Sequence, residues 1–174
     1  MRNTKILFYL FTVSLLLLSC IKDDDDSEGM INYVSVNDHI PTFAVEDTAG
    51  NKFSSKQFVG KNSLLVFFGT YCPDCKKVLP VIEEVWTALK DDPRYQLVAI
   101  SRGEEENVVS EYWVNNRFTM PFYLDPDKQV FSLFANNTIP RIYIVSPDNV
   151  VTWMSVESLE LSAKELISKI KESK

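Results

Sequence analysis

Leu64-Leu65-Val66-Phe67-Phe68 is a continuous apolar run, and the next few residues bring Tyr71-Cys72-Pro73-Asp74-Cys75. A run without polar alternation is how a strand buried on both faces reads, so it belongs in the middle of a sheet with cover above and below. Beyond the cysteines, Val78, Ile82, Val85, Trp86 and Leu89 recur at helical spacing and give one apolar stripe. The dithiol therefore stands where a central strand gives way to a helix. Pro80 lacks the N–H that would bond the carbonyl of Lys76, so it is expected to interrupt that helix with a kink one turn after Cys75.

Short apolar runs alternate with amphipathic segments from Asp38 onward, the pattern of an α/β domain. Phe43-Ala44-Val45 and the region of Phe53 read as a hairpin turning at Ala49-Gly50-Asn51. Gln96 to Ile100 reads as a strand, and Val108, Val109, Tyr112 and Trp113 as the inner face of a second helix. Asp127 to Phe134 is expected to add a short helix. Arg141 to Val145 and Val150 to Trp153 form a hairpin about Ser146-Pro147-Asp148-Asn149. A last helix starts at Ser162, with Glu165 completing a capping box, and buries Leu166, Ile167 and Ile170. Tyr112, Trp113, Phe118, Phe122, Tyr123, Phe131 and Phe134 are read as core.

The N-terminus divides the chain. Arg2 and Lys5 precede an apolar run from Ile6 to Leu18, and Ser19-Cys20 follows. The run is shorter than the ~20 residues that span a bilayer, and it reads as an export signal over residues 1–19. A small residue before Cys resembles a bacterial lipobox, which implies that Cys20 is acylated and anchors the chain to a membrane. Residues 20–37 include Lys22 followed by Asp23 to Asp26 and Glu28, a self-repelling acidic stretch read as a flexible tether. A globular domain then fills residues 38–174. The full chain carries −6, which includes +2 from Arg2 and Lys5, so a chain beginning at Cys20 carries −8. That balance excludes nucleic acid as a charge-driven partner.

With Cys20 assigned to lipid, Cys72 and Cys75 remain, and two cysteines make no disulfide framework. At a helix start the unpaired N–H groups and the dipole stabilise an anion on Cys72, which can attack as a thiolate. Cys75 lies one turn inside, placed to resolve a mixed disulfide. Half a zinc site is the competing reading of Cys-x-x-Cys, but zinc takes four ligands and the only histidine is His39. An inert staple closing so short a loop would remove little unfolded-state entropy. Peroxidase chemistry of the peroxiredoxin kind needs Thr or Ser three residues before the reactive Cys and Pro seven before, where Gly69 and Leu65 stand here.

From Ile40 to Trp153 the chain resembles the TlpA/ResA-type thioredoxin-like thiol-disulfide oxidoreductases. The resemblance rests on Pro41-Thr42-Phe43-Ala44-Val45-Glu46-Asp47, Gly60-Lys61, Phe67-Phe68-Gly69-Thr70-Tyr71, the dithiol with Pro73 and Asp74, and Pro80. It implies a thioredoxin fold, with a central mixed sheet flanked by helices and an added N-terminal β-hairpin. Thr138-Ile139-Pro140 matches the family's cis-proline, which implies that Ile139 and Pro140 hold an extended substrate peptide beside Tyr71. Tyr71 replaces the usual Trp, and Val66 stands where cytosolic thioredoxins keep a buried acid.

The expected reaction is dithiol-disulfide exchange with protein thiols and disulfides of the cell envelope, supplied by an unidentified electron donor and needing no metal or organic cofactor. Asp74 between the cysteines disfavours the Cys72 thiolate relative to a His-containing motif, which points to a reductant or isomerase. The alternative is a non-catalytic module using the same fold as a docking surface.

Overall fold

The apolar run lies at the centre of the sheet because every neighbour it needs comes from elsewhere in the chain. The computed structural model describes residues 29–157, 160 and 162–173; the expected signal, Cys20 and the acidic run lie outside the described residues. Strand β3 (Asn62–Phe68) pairs in parallel with β4 (Tyr95–Arg102), from Asn62 opposite Tyr95 to Phe68 opposite Ser101. On its other edge it pairs antiparallel with β6 (Arg141–Val145), Phe67 facing Arg141. Strand β5 (Phe122–Asp125) extends the β4 side in parallel, and β7 (Val151–Val156) closes the β6 side as a hairpin. The N-terminal hairpin of β1 (Ala44–Glu46) and β2 (Lys52–Ser54) joins β5, giving the order β2-β1-β5-β4-β3-β6-β7.

Alternation along β3 sends Leu64, Val66 and Phe68 to one face and Leu65 and Phe67 to the other. Helices α1 (Pro73–Leu89) and α3 (Ala163–Glu172) pack on the first face, where Leu64 shares a crevice with Val85, Trp86, Leu89 and Ile170. Helix α2 (Glu106–Asn116) lies on the same side, its Trp113 ring 4.9 Å from Phe68. The three α-helices among the described residues thus share one face. The second face is covered by rings instead: Phe67 meets Phe131 and Phe134, and Phe43 bridges Phe53, Phe58 and Phe134.

The structure departs from the sequence expectations at several points. No helix spans Asp127 to Phe134, only a 3-10 turn at Phe131–Leu133; Lys128 has φ +58, and the Asp125 carboxylate accepts the N–H groups of Val130 and Phe131. Strand β5 has no counterpart in the sequence expectations, because Phe122-Tyr123-Leu124-Asp125 is short and its residues do not alternate between apolar and polar. Val108 is exposed, since the buried stripe of α2 runs through Val109 and Trp113. Ile31 to Asn37, expected within the tether, are docked: Tyr33 and Val34 donate to the Phe134 carbonyl, Asn37 donates to Val151, and Val34 is buried.

Helix α1 runs on through Pro80, which sits on its exposed face, with no break in helical backbone. The capping box of α3 forms as expected, Ser162 and Glu165 exchanging hydrogen bonds, with Leu166 and Ile170 buried and Ile167 half-buried. Among the described residues no helix is long and apolar enough to cross a membrane.

Candidate active site

Strand β3 ends at Phe68, and three residues later the chain must enter a helix whose first N–H groups have no partner. Cys72 is the N-cap: its backbone is extended, and its Sγ accepts the N–H of Cys75 at 3.3 Å. The turn before it is closed by Cys72 N–H donating to Gly69 at 3.1 Å. Pro73 occupies the first helical position, where a missing N–H costs nothing and φ is already helical. Asp74 falls in the first turn and pairs with Lys77 at 3.1 Å, an exposed ion pair of little energetic weight.

Both cysteines are free thiols, in unlike surroundings. Cys72 is half-buried, whereas Cys75 has no exposed surface. Burial pushes the Cys75 thiol far above the ordinary range, and its hydrogen bond to Cys72 and the negative charge of Cys72 and Asp74 act in the same direction; a hydrogen bond from the Gly69 backbone opposes them. The front sulfur is thus reachable and the rear one is held as a neutral thiol.

The Ile139–Pro140 peptide bond is cis, as the motif implies, and the Cys72 thiol donates to the Ile139 carbonyl at 3.5 Å. Two distant segments, the end of β3 and the entry to β6, therefore meet at one sulfur. Tyr71 stands beside them, 55% exposed, its hydroxyl accepting from Arg102 Nη1 at 3.3 Å. The Arg102 guanidinium lies 4.4 Å over the Phe131 ring. The structure thus brings Tyr71, Cys72, Pro73, Asp74, Cys75, Ile139 and Pro140 to one place, while Cys20 lies outside the described residues.

Three residues support the site, and the sequence assigned a supporting role to none of them. Gly69 is required by crowding: a Cβ there would stand 2.6 Å from Tyr71 Cε1 and 2.9 Å from Ile139 Cδ1. The same crowding leaves no room for the hydroxyl residue that peroxidase chemistry needs at this position. Glu104, buried just beyond β4, accepts the Thr70 N–H at 2.8 Å, the Thr70 hydroxyl and the Ser101 hydroxyl, which ties down the turn ahead of Cys72. Arg141, at the start of β6, has no exposed surface at all. A charged residue opening an otherwise apolar strand was its only mark in the sequence. Val66, where an acid was missed, is packed in the core at 1% exposure.

Fold and site together define a thioredoxin-like protein with a half-exposed and a buried thiol at the start of one helix. The chain belongs to the AhpC/TSA family, whose profile matches residues 36–154. It is 28% identical to the thiol-disulfide oxidoreductase ResA of Bacillus subtilis over 72% of each chain. A solution structure from Bacteroides thetaiotaomicron, provisionally described as a protein disulfide isomerase, superposes with a TM-score of 0.76 at 26% identity, covering 83% of this chain and 92% of that one. StoA of Bacillus subtilis shares the fold with a TM-score of 0.64 at 21% identity, over 75% and 96%. The TlpA/ResA resemblance of the motifs holds, and the chain is an enzyme of the thiol-disulfide oxidoreductase class.

The raised Cys75 thiol has a measurable consequence. Above the ordinary thiol range the unfolded chain releases this proton while the native dithiol form keeps it, so native stability is complete at lower pH and is lost as pH rises. Urea unfolding of the reduced protein between pH 8 and pH 10 is expected to show an extra loss approaching ~1.4 kcal/mol per pH unit relative to Cys75→Ala. Equal slopes for the two proteins would overturn the assignment.

Proposed function

We propose that this protein reduces or isomerises protein disulfides in the bacterial cell envelope, with Cys72 as nucleophile and Cys75 as resolving thiol. One observation carries the reading: the half-exposed Cys72 sulfur accepts a helix N-terminal N–H and faces the Ile139 carbonyl, with the buried Cys75 behind it.

In the first step Cys72 loses its proton, and its thiolate attacks one sulfur of a substrate disulfide. A bond forms from Cys72 to that sulfur, the substrate S–S bond breaks, and the other substrate sulfur leaves as a thiolate. Cys75 then gives up its proton and attacks Cys72 Sγ, releasing the second substrate thiol and leaving a Cys72–Cys75 disulfide. The substrate has gained two electrons and the enzyme has lost them. A donor dithiol must return them for reduction to recur; in isomerisation a substrate thiol attacks the mixed disulfide instead.

Ile139 and Pro140 offer an extended edge to the substrate backbone, and Tyr71 shields the sulfurs from the side. Burial opposes deprotonation of Cys75, so the resolving step needs a route that takes up this proton. Asp74, rather than a histidine, stands between the two cysteines, and that supports the reducing direction. The N-terminal apolar run and Ser19-Cys20 support export and acylation at Cys20, which would hold the domain at a membrane surface.

Cys75→Ser protein mixed with envelope extract is expected to accumulate mixed disulfides at Cys72 that dissolve on reduction; an absence of trapped species would return the chain to a scaffold role. The reduction potential of the pair is expected well below the ~−120 mV of a strong envelope oxidant, and a value near that figure would reverse the direction. Labelled fatty acid is expected to enter the wild-type chain and not Cys20→Ala, whereas label retained in the variant would remove the anchor.

A further inference from the structure

Arg141 is a full charge with no exposed surface, placed directly after Pro140 and paired in the sheet with Phe67 and Val156. Burying a guanidinium is costly unless its donors are used, and a partner carboxylate is the usual solution. None of the ion pairs among the described residues includes it. Its donors go to backbone carbonyls and one side-chain amide instead. Nε donates to the carbonyls of Asn137 and Thr138 at 3.2 and 2.9 Å, and Nη2 donates to Asn137 at 2.9 Å. Nη1 reaches the Asn32 side chain at 2.5 Å, in the docked N-terminal strap, and the guanidinium carbon lies 6.0 Å from the Phe131 ring centre.

Those carbonyls belong to the two residues that deliver Ile139 to Cys72. Thr138 has φ +72, a left-handed conformation that a β-branched residue rarely adopts and that persists only where surroundings enforce it. Its carbonyl is among those the arginine grips. The backbone of Arg141 is meanwhile fixed to β3 opposite Phe67, five residues before Cys72. One side chain therefore refers the substrate-facing loop to the strand that carries the nucleophile.

We infer that Arg141 is a positioning residue: its buried fork, braced by Asn32, holds residues 137–139 in the register needed to pair with an extended disulfide-bearing peptide. The inference rests on the exchange reaction proposed above. It also gives the N-terminal strap a part in substrate recognition. A small aromatic disulfide such as 5,5′-dithiobis(2-nitrobenzoate) has no peptide backbone to pair, so it reports the sulfur chemistry without the loop.

The test compares that reagent with short extended peptides joined by one disulfide, using wild-type protein, Arg141→Lys and Asn32→Ala. Arg141→Lys keeps the charge and loses the planar fork. Its kcat/KM for the peptide, divided by its rate with the small reagent, is expected to fall at least about tenfold, chiefly through a higher KM. Asn32→Ala, an exposed position outside the sheet, is expected to move the ratio in the same direction by a smaller factor and serves if the lysine variant fails to fold. An unchanged ratio in the folded variants, including a parallel fall with both substrates, would leave Arg141 as packing alone and overturn the inference. Wild-type protein that exchanges with neither disulfide would instead overturn the function on which the inference rests.

Discussion

A single sulfur at the mouth of a helix organises the active end of this molecule. Cys72 closes the N-terminus of α1 with its own side chain, so the atom proposed to react is also the atom that satisfies an otherwise orphaned N–H group. Capping by a thiol or thiolate ties helix geometry to redox state, and it also fixes where Cys75 must lie, one turn inward and under the sheet. Everything that distinguishes the two thiols follows from that depth. The same cysteine at the end of a longer loop would have neither the dipole nor the resolving partner.

The sheet does the aligning. Strands β3 and β6 are neighbours over five residue pairs, which brings the chain leaving β3 alongside the chain entering β6 although about seventy residues separate them in sequence. Short connections at both ends are then braced from within: Glu104 holds Thr70 on one side, and Arg141 holds Asn137 and Thr138 on the other. Both braces are buried polar side chains bonded to the short loops that flank the two sulfurs, an arrangement that rigidifies segments which otherwise lack secondary structure. Gly69 lets Tyr71 and Ile139 close over the join, since a side chain there would collide with both.

What was legible in the sequence was whatever is encoded locally. The apolar run of β3, the dithiol at the following helix, the stripe of α1, the Ser162 cap and the proline before β6 each announce themselves within a few residues, and each is found. The misreadings share a cause. Asp127 to Phe134 carries helix-compatible residues, yet Asp125 captures its N–H groups and a left-handed Lys128 ends any helical run. Ile31 to Asn37 looks like spacer because its bonding partners, Phe134 and Val151, lie about a hundred residues away.

By itself the sequence determined the central strand, the dithiol helix, the closing hairpin and helix, and the position of the two thiols at a helix start, because periodicity and short-range hydrogen bonding depend only on near neighbours, while the family resemblance named the proline opposite them. Tertiary structure alone decided that Cys75 has no contact with solvent, that the three α-helices among the described residues take one face, and that Arg141 and Glu104 turn inward to hold the loops around the site. Burial and long-range pairing are properties of the assembled sheet, and no window of sequence contains both sides of such a contact.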